Sequence, residues 1–264
     1  MEHQGGNLKR RVVHLIRDRL QPSEIYRLIT SREAAYTPAD QEANACRDRA
    51  FMAVDYASSG RITEVTGGPV FYWDKQQKKS FKVPDKKHPG LWVENLHVST
   101  ERILVSNMET VKRSQKIIDR YGLQVTIRDP FAIPLIRGLY DNPFWDQLVP
   151  FGWLIYEYLV RYAPKSGKLF PFEDTRAYQI VREVTGNYPN WFRSQAEHFY
   201  GHFLLTDSVK LSKFLNVLDP KQVKHYIGYD WTAQLKDKSV SMNFDWIDPS
   251  IQQIKDRLGI LVVK

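Results

Sequence analysis

Apolar positions recur at helical spacing along most of the chain, and the period changes in one long interval. Over 8–20, Val12, Val13, Leu15, Ile16 and Leu20 form a stripe flanked by Lys9, Arg10, Arg11, Arg17 and Arg19, which predicts a short basic amphipathic helix. Its polar side has two readings, a solvated face or a contact with DNA or a neighbouring subunit. Helical periodicity continues through 22–60, with Ser23 and Thr37-Pro38 as start signals and Gly60 as a stop. Between 67 and 134 the period shortens to two, and 69–73, 80–84, 91–98 and 102–107 read as strands separated by turn residues. From 141 to 185 the helical period returns, broken at Pro150, with its aromatics assigned to core. Asp174 is expected to cap a further helix that Gly186 ends. Residues 187–231 hold Asn190-Trp191-Phe192-Arg193 followed by two helical patterns. The second is announced by Asp219, Pro220 and Gln222 and carries Tyr226 near its end. A polar linker, a closing helix and the apolar run Ile260–Val263 follow. That run has two readings, oligomerisation in trans or packing on its own core.

Long helices around one short-period interval predict an α+β fold, mainly α with a small antiparallel β-sheet. The expected organisation is a basic extension over 1–22, a main domain over 23–231 with its β insert at about 67–134, and a tail over 232–264. At 264 residues the chain can bury one large core or two modest ones. No apolar run reaches the roughly 20 residues needed to span a bilayer. The first residues lack the apolar segment of a signal peptide, so a cytoplasmic, nucleoid-associated setting is the expectation. Cys46 is the single cysteine, which excludes an internal disulfide framework or a cysteine-based metal cluster. His198 and His202 stand at helical metal-ligand spacing but lack a third ligand, so packing is the expectation and no cofactor is assigned.

Charge changes this picture. A formal net charge of +8 points toward a polyanionic partner, because lysines and arginines that neutralise phosphates release counterions. The turn region of the first two strands concentrates Lys75, Lys78, Lys79, Lys82, Lys86 and Lys87, with Asp74 and Asp85 the acids among them. Such a hairpin can track a DNA backbone by point charge, or it can guard a sheet edge against aggregation. DNA is the reading carried forward.

Two boxes give that partner a chemistry. Residues 48–65 form an apolar helix that breaks at Ser58-Ser59-Gly60 and delivers Arg61, with Glu64 one turn on. Far downstream, Asn190 to Arg193 has the spacing of a His-x-x-Arg motif, and Leu215 precedes Tyr226 by eleven positions. Together these resemble the tyrosine recombinases, especially archaeal integrases, over roughly 26–231; the 168–172 stretch also resembles the Leu-Phe-Pro junction of archaeal relatives. The resemblance implies the recombinase catalytic-domain fold and a metal-independent DNA-cleaving site. In it, Arg61 and Arg193 clamp the scissile phosphate of double-stranded DNA and Tyr226 attacks it, in a homo-oligomer assembled on the DNA. The segment over 1–22 is too short to be the separate DNA-clasping domain of full-length relatives.

Three positions depart from the family pattern. Asn190 stands for the second-box histidine and can hydrogen-bond a phosphate without taking a proton. Val217 stands for the third-box His or Trp. Glu109 falls where the general-acid lysine belongs, with Lys112 the preferred replacement and Lys116 the alternative. Tyr200 and Tyr229 compete with Tyr226 for the nucleophile's role. These losses leave a second outcome open, a DNA-binding regulator of the same fold, and a more distant one, a nicking-closing enzyme of topoisomerase IB type.

Overall fold

A computed structural model describes residues 19–32, 41–74, 76–112, 124–217, 223 and 242–260. The basic helix over 8–20 lies almost wholly outside them. So do Thr37-Pro38, Lys75, Lys116, the helix start at Asp219, Tyr226, Tyr229 and the run after Ile260. Lys86 and Lys112 are placed by their backbone.

Helix α1 (Pro22–Thr30) opens as its sequence dictates, with proline in the first turn and the Gln21 N–H donating to Glu24 Oε2 at 2.8 Å. It buries Ile25, Tyr26 and Ile29. Helix α2 (Gln41–Ser58) is buried along its whole second half. It packs against α4 (Val149–Arg161) and α6 (Trp191–Phe199), which makes it the axis of the fold. Aromatic rings fill the surrounding space: Tyr56 lies 4.8 Å from Phe151 between ring centroids, and Phe51 meets Phe172 edge-on at 5.4 Å.

Short α3 (Ile62–Thr66) leads into the strands. β1 (Gly68–Asp74) and β2 (Lys79–His88) form an antiparallel hairpin whose register shifts between Pro69 and Phe71. A second sheet joins β3 (Leu96–Val98), β4 (Arg102–Val105) and β7 (Phe131–Pro134) in the order β3-β4-β7. A third is the pair β5 (Glu109–Lys112) and β6 (Gln124–Ile127). The class is α+β, as expected, but the strands divide among three small antiparallel sheets. The strand expected over 91–98 is shorter too. A 3₁₀ turn over Val93–Asn95 takes its first half, with Asn95 Oδ1 accepting from the Trp92 N–H at 2.9 Å.

Two further expectations are corrected. Pro150 does not break a helix: a 3₁₀ stretch (Pro143–Leu148) comes first, and Pro150 stands in the first turn of α4, where a missing N–H costs no helical bond. In α5 (Asp174–Thr185) the capping position falls on Glu173, and Asp174 is the first helical residue. Gly186 does end α5, in the left-handed conformation at φ 68°. A π-helical turn (Tyr200–Leu204) extends α6, and α7 (Ser208–Phe214) begins at Asp207, whose carboxylate accepts from the N–H groups of Val209 and Lys210 at 2.8 and 2.9 Å.

The closing helix α8 (Ile247–Arg257) lies against α4. Ile247 and Ile251 pack with Val149 and Trp153, and Trp246 reaches Tyr26 at 5.2 Å, so this part of the tail is continuous with the core. Among the described residues no helix is long and apolar enough to cross a membrane.

Candidate functional site

The site begins where α2 stops. Ser59 takes a left-handed conformation at φ 48°, and the Gly60 N–H turns back to Asp55 O at 3.3 Å and Ser58 Oγ at 3.0 Å. A Cβ at Gly60 would fall 2.7 Å from the Met108 methyl and 2.8 Å from Ser58 Oγ, so those side chains would have to shift to admit one. Arg61 then occupies the N-cap of α3. Glu64 holds it twice: Oε2 accepts from the Arg61 N–H at 2.9 Å and Oε1 from Nη1 at 2.5 Å. The Arg-x-x-Glu spacing is thus a local device, in which one carboxylate fixes both the backbone and the guanidinium of the same arginine.

Onto that carboxylate converge residues from distant parts of the chain. Arg193 Nη1 lies 3.9 Å from Glu64 Oε2, and Arg128 Nη1 lies 4.0 Å from the same oxygen. Thr110, on β5, donates to Glu64 Oε1 and accepts from Arg61 Nη1 at 3.1 Å. The arginines spend their other donors on turns. Arg193 bonds Ser59 O at 2.8 Å and Leu215 O at 3.5 Å, and its Nε pairs with Glu197 at 2.7 Å. Arg128 bonds Ser58 O at 2.9 Å and Phe214 O, with its guanidinium against the rings of Phe131 and Phe214.

Burial would push the Glu64 carboxyl up, but Arg61, Arg193, Arg128 and the Thr110 hydroxyl outweigh it and hold the group well below the usual carboxylate range. Arg128 is pulled down to about 10 by burial first, with Glu64 opposing and the other two arginines reinforcing. Asp55 behaves in the reverse way. It is fully buried, neither carboxylate oxygen has a hydrogen-bond partner among the described residues, and burial drives its carboxyl well above the ordinary range, Arg193 opposing and Glu64 reinforcing. The acids that pair with the three guanidiniums are Glu64 and Glu197. Arg61 is also the one with access to solvent: its side chain is 32% exposed, against 9% for Arg193 and 1% for Arg128. Its Nε and Nη2 bond to nothing among the described residues. A planar fork of free N–H groups above a positively charged floor is what an oxyanion of phosphate geometry requires.

The other expected site residues fall as follows. Asn190 is exposed at the start of α6, one turn ahead of Arg193. Lys112 ends β5, paired in register with Gln124, and Glu109 begins the same strand opposite Ile127. Thr110, between them, is the member of β5 that reaches the cluster. Val217 follows the Leu215-Asn216 turn and packs against the core. Tyr200 is a core residue: its hydroxyl donates to Ala57 O at 2.5 Å, and burial drives its phenol far above the ordinary range, Arg128 pulling weakly the other way. Lys78, Lys79, Lys82 and Lys87 are exposed along the β1–β2 hairpin, with Lys78 in its turn at φ 49°. His198 and His202 stack at 6.5 Å, and burial lowers the His202 imidazole to about 4, with Arg19 adding to it. Among the described residues no group of three or more His, Cys, Asp or Glu is placed to hold a metal ion.

Sequence reasoning missed Arg128, Thr110 and Asp55. No local pattern marks Arg128, which follows a strand as many solvated arginines do. Asn216 carried a readable signal: it takes φ 51°, a conformation asparagine tolerates better than most residues. No family model, curated protein or solved structure matches the chain.

Proposed function

We propose that the chain is a site-specific DNA recombinase or integrase of the tyrosine type, with a catalytic domain of that fold, working on double-stranded DNA without metal. The observation that carries this reading is the meeting of Arg61 and Arg193, from boxes far apart in the chain, on the single carboxylate of Glu64 at 2.5 and 3.9 Å. Arg61 offers the open fork to a non-bridging phosphate oxygen, while Arg193 supplies positive potential from beneath and stabilises the extra charge of the pentavalent transition state. The Tyr226 hydroxyl gives up its proton to solvent as its oxygen attacks phosphorus, a 3′-phosphotyrosyl ester forms, and the P–O5′ bond breaks. The departing 5′ oxygen takes a proton, for which Lys112 is the proposed donor. The phosphate ester energy stays in the covalent link, and a 5′-hydroxyl on another strand reverses the step. The exposed lysines of the β1–β2 hairpin hold the flanking backbone, and the working unit is a homo-oligomer on DNA.

The test is a nicked suicide duplex incubated with the protein. A denaturant-resistant adduct should form and disappear in Tyr226→Phe. Tight DNA binding with no adduct on any duplex would select the second reading, a DNA-binding regulator of the same fold. Two observations favour that alternative: Val217 brings no donor to the third-box position, and Asn190 cannot carry a proton.

A further inference from the structure

We propose that Arg128 is a positioning residue that couples the turn carrying Arg61 to the turn that launches the segment holding Tyr226; the proposal rests on the recombinase reading of the site. A single nitrogen makes the connection. Nη2 donates to Ser58 O at 2.9 Å, in the turn that ends α2, and also to Phe214 O, at the end of α7. These carbonyls belong to segments 156 positions apart (214 less 58), and both sit within the last turn of a helix, where unsatisfied carbonyls carry the negative end of the dipole. The backbone of Arg128 is itself fixed, its N–H donating to Met108 O at 2.9 Å, and the rings of Phe131 and Phe214 hold the guanidinium plane at 5.4 and 5.2 Å.

Two neighbouring contacts reinforce the same coupling. Thr126, on the adjoining strand β6, accepts from Asn216 Nδ2 at 3.0 Å, and Arg193 closes the circuit by bonding Ser59 O and Leu215 O. Arg128 is too deeply buried to touch a bound phosphate. Its part is to keep the phosphate fork and the start of the nucleophile's segment in fixed relation, which governs how often a near-attack geometry is reached rather than how tightly DNA is held. A lysine cannot do this, because its nitrogen stops near where Cζ of the guanidinium sits, short of both carbonyls.

The experiment compares the full-length protein with Arg128→Lys and Arg128→Ala on the nicked suicide duplex, with and without guanidinium chloride at about 10 mM, far below denaturing levels. We expect duplex affinity within threefold of the parent, adduct formation slowed at least thirtyfold in both variants, and recovery of at least tenfold with added guanidinium in Arg128→Ala alone. Hydrogen exchange is read on the same samples. The amides of Gly60 and Val217 should lose protection together in the variants, and regain it together when guanidinium fills the Arg128→Ala site. An adduct rate within threefold of the parent, or loss without rescue that tracks a lowered midpoint of unfolding, overturns the proposal. Failure of the parent to form any adduct overturns the recombinase reading instead. Exchange then decides this proposal alone: unchanged protection at either amide sinks it, and joint loss with joint rescue sustains it. If Arg128→Ala does not fold, Arg128→Lys carries the exchange comparison: joint loss of protection at Gly60 and Val217 sustains the proposal, and unchanged protection at either overturns it.

Discussion

Glu157 and Glu64 are both buried among arginines, and they are used differently. Glu157, on α4, takes Arg257 of the closing helix through two bonds of 2.6 and 2.7 Å and Arg161 at 3.3 Å, and Arg161 continues to Glu42. The donors of those two arginines end on carboxylates. Around Glu64 the arginines reach beyond their acids to the carbonyls of Ser58, Ser59, Phe214 and Leu215, which are neutral acceptors, and the partly exposed Arg61 keeps its Nε and Nη2 unused among the described residues. The first arrangement staples a helix to the core. The second holds turns in place while leaving positive potential unspent, which suits a site for an anion.

The sharpest way to break this contrast is to remove one arginine from each cluster. On the proposed recombinase reading, Arg61→Ala should lower adduct formation by about 10²–10³-fold, the usual effect of losing one transition-state donor. Its unfolding midpoint should shift little, because Glu64 keeps Arg193, Arg128 and the Thr110 hydroxyl as partners. Arg257→Ala should do the reverse, costing about 3 kcal/mol by leaving Glu157 buried and half-paired. The adduct rate per folded molecule should hold. Denaturant titration and the suicide duplex, run on both variants, measure the two axes; an Arg61→Ala protein that unfolds like Arg257→Ala would make the Glu64 cluster a staple as well.

The pH dependence separates two acids of the site. Asp55 has a raised carboxyl, so the stability it contributes is fully present below the unfolded value near 3.9 and is lost as pH rises toward its folded value, by up to about 1.4 kcal/mol per pH unit. Asp55→Asn should therefore gain on the parent as pH climbs from 5 to 8 in denaturant titrations. Glu64 has a depressed carboxyl, so its contribution is present above the unfolded value near 4.3 and falls away as pH drops below it. Glu64→Gln should flatten the acid side of the profile while lowering stability at neutral pH. Parallel curves for the parent and Asp55→Asn would show that Asp55 ionises in the folded protein.

Much of the fold was legible because its signals are local. Gly186 ends α5 and the Ser58-Ser59-Gly60 turn ends α2, both set within a few residues. Pro150 misled because a proline that breaks a helix and one that begins a helix look alike until the preceding turn is known. The division into three sheets, the arrival of Thr110 and the bridge made by Arg128 depend on pairing across long separations, which periodicity does not encode. Asp55 was illegible for a related reason: on a helix an aspartate reads as solvated, and only the elements packed around α2 take its carboxylate out of water.

A smaller effect sharpens the contrast from the backbone side. Gly60→Ala would press a methyl against Met108 and Ser58 Oγ, and a side chain forced into a filled space costs roughly 1–3 kcal/mol. Because the strain falls on the turn that delivers Arg61, adduct formation should drop by more than the lost stability explains. A change of the same kind at Gly152, on the staple's helix, where a Cβ would meet Pro134 O at 2.4 Å, should lower stability and leave the rate per folded molecule alone.

The smallest expected change is at Asn216, where two effects oppose. Glycine accepts φ 51° without strain, which favours Asn216→Gly by about 1 kcal/mol, while loss of the bond from Nδ2 to Thr126 Oγ1 removes about as much. The net shift in unfolding free energy should lie near zero. Asn216→Ala loses the bond and keeps the strained φ, so it should fall below the parent by about 1–2 kcal/mol. If the bond to Thr126 serves to set the turn and not merely to stabilise it, the two effects part in the kinetics. Asn216→Gly would then keep the parent's stability and still form adduct more slowly, because the turn that leads toward Tyr226 has lost its tie to β6.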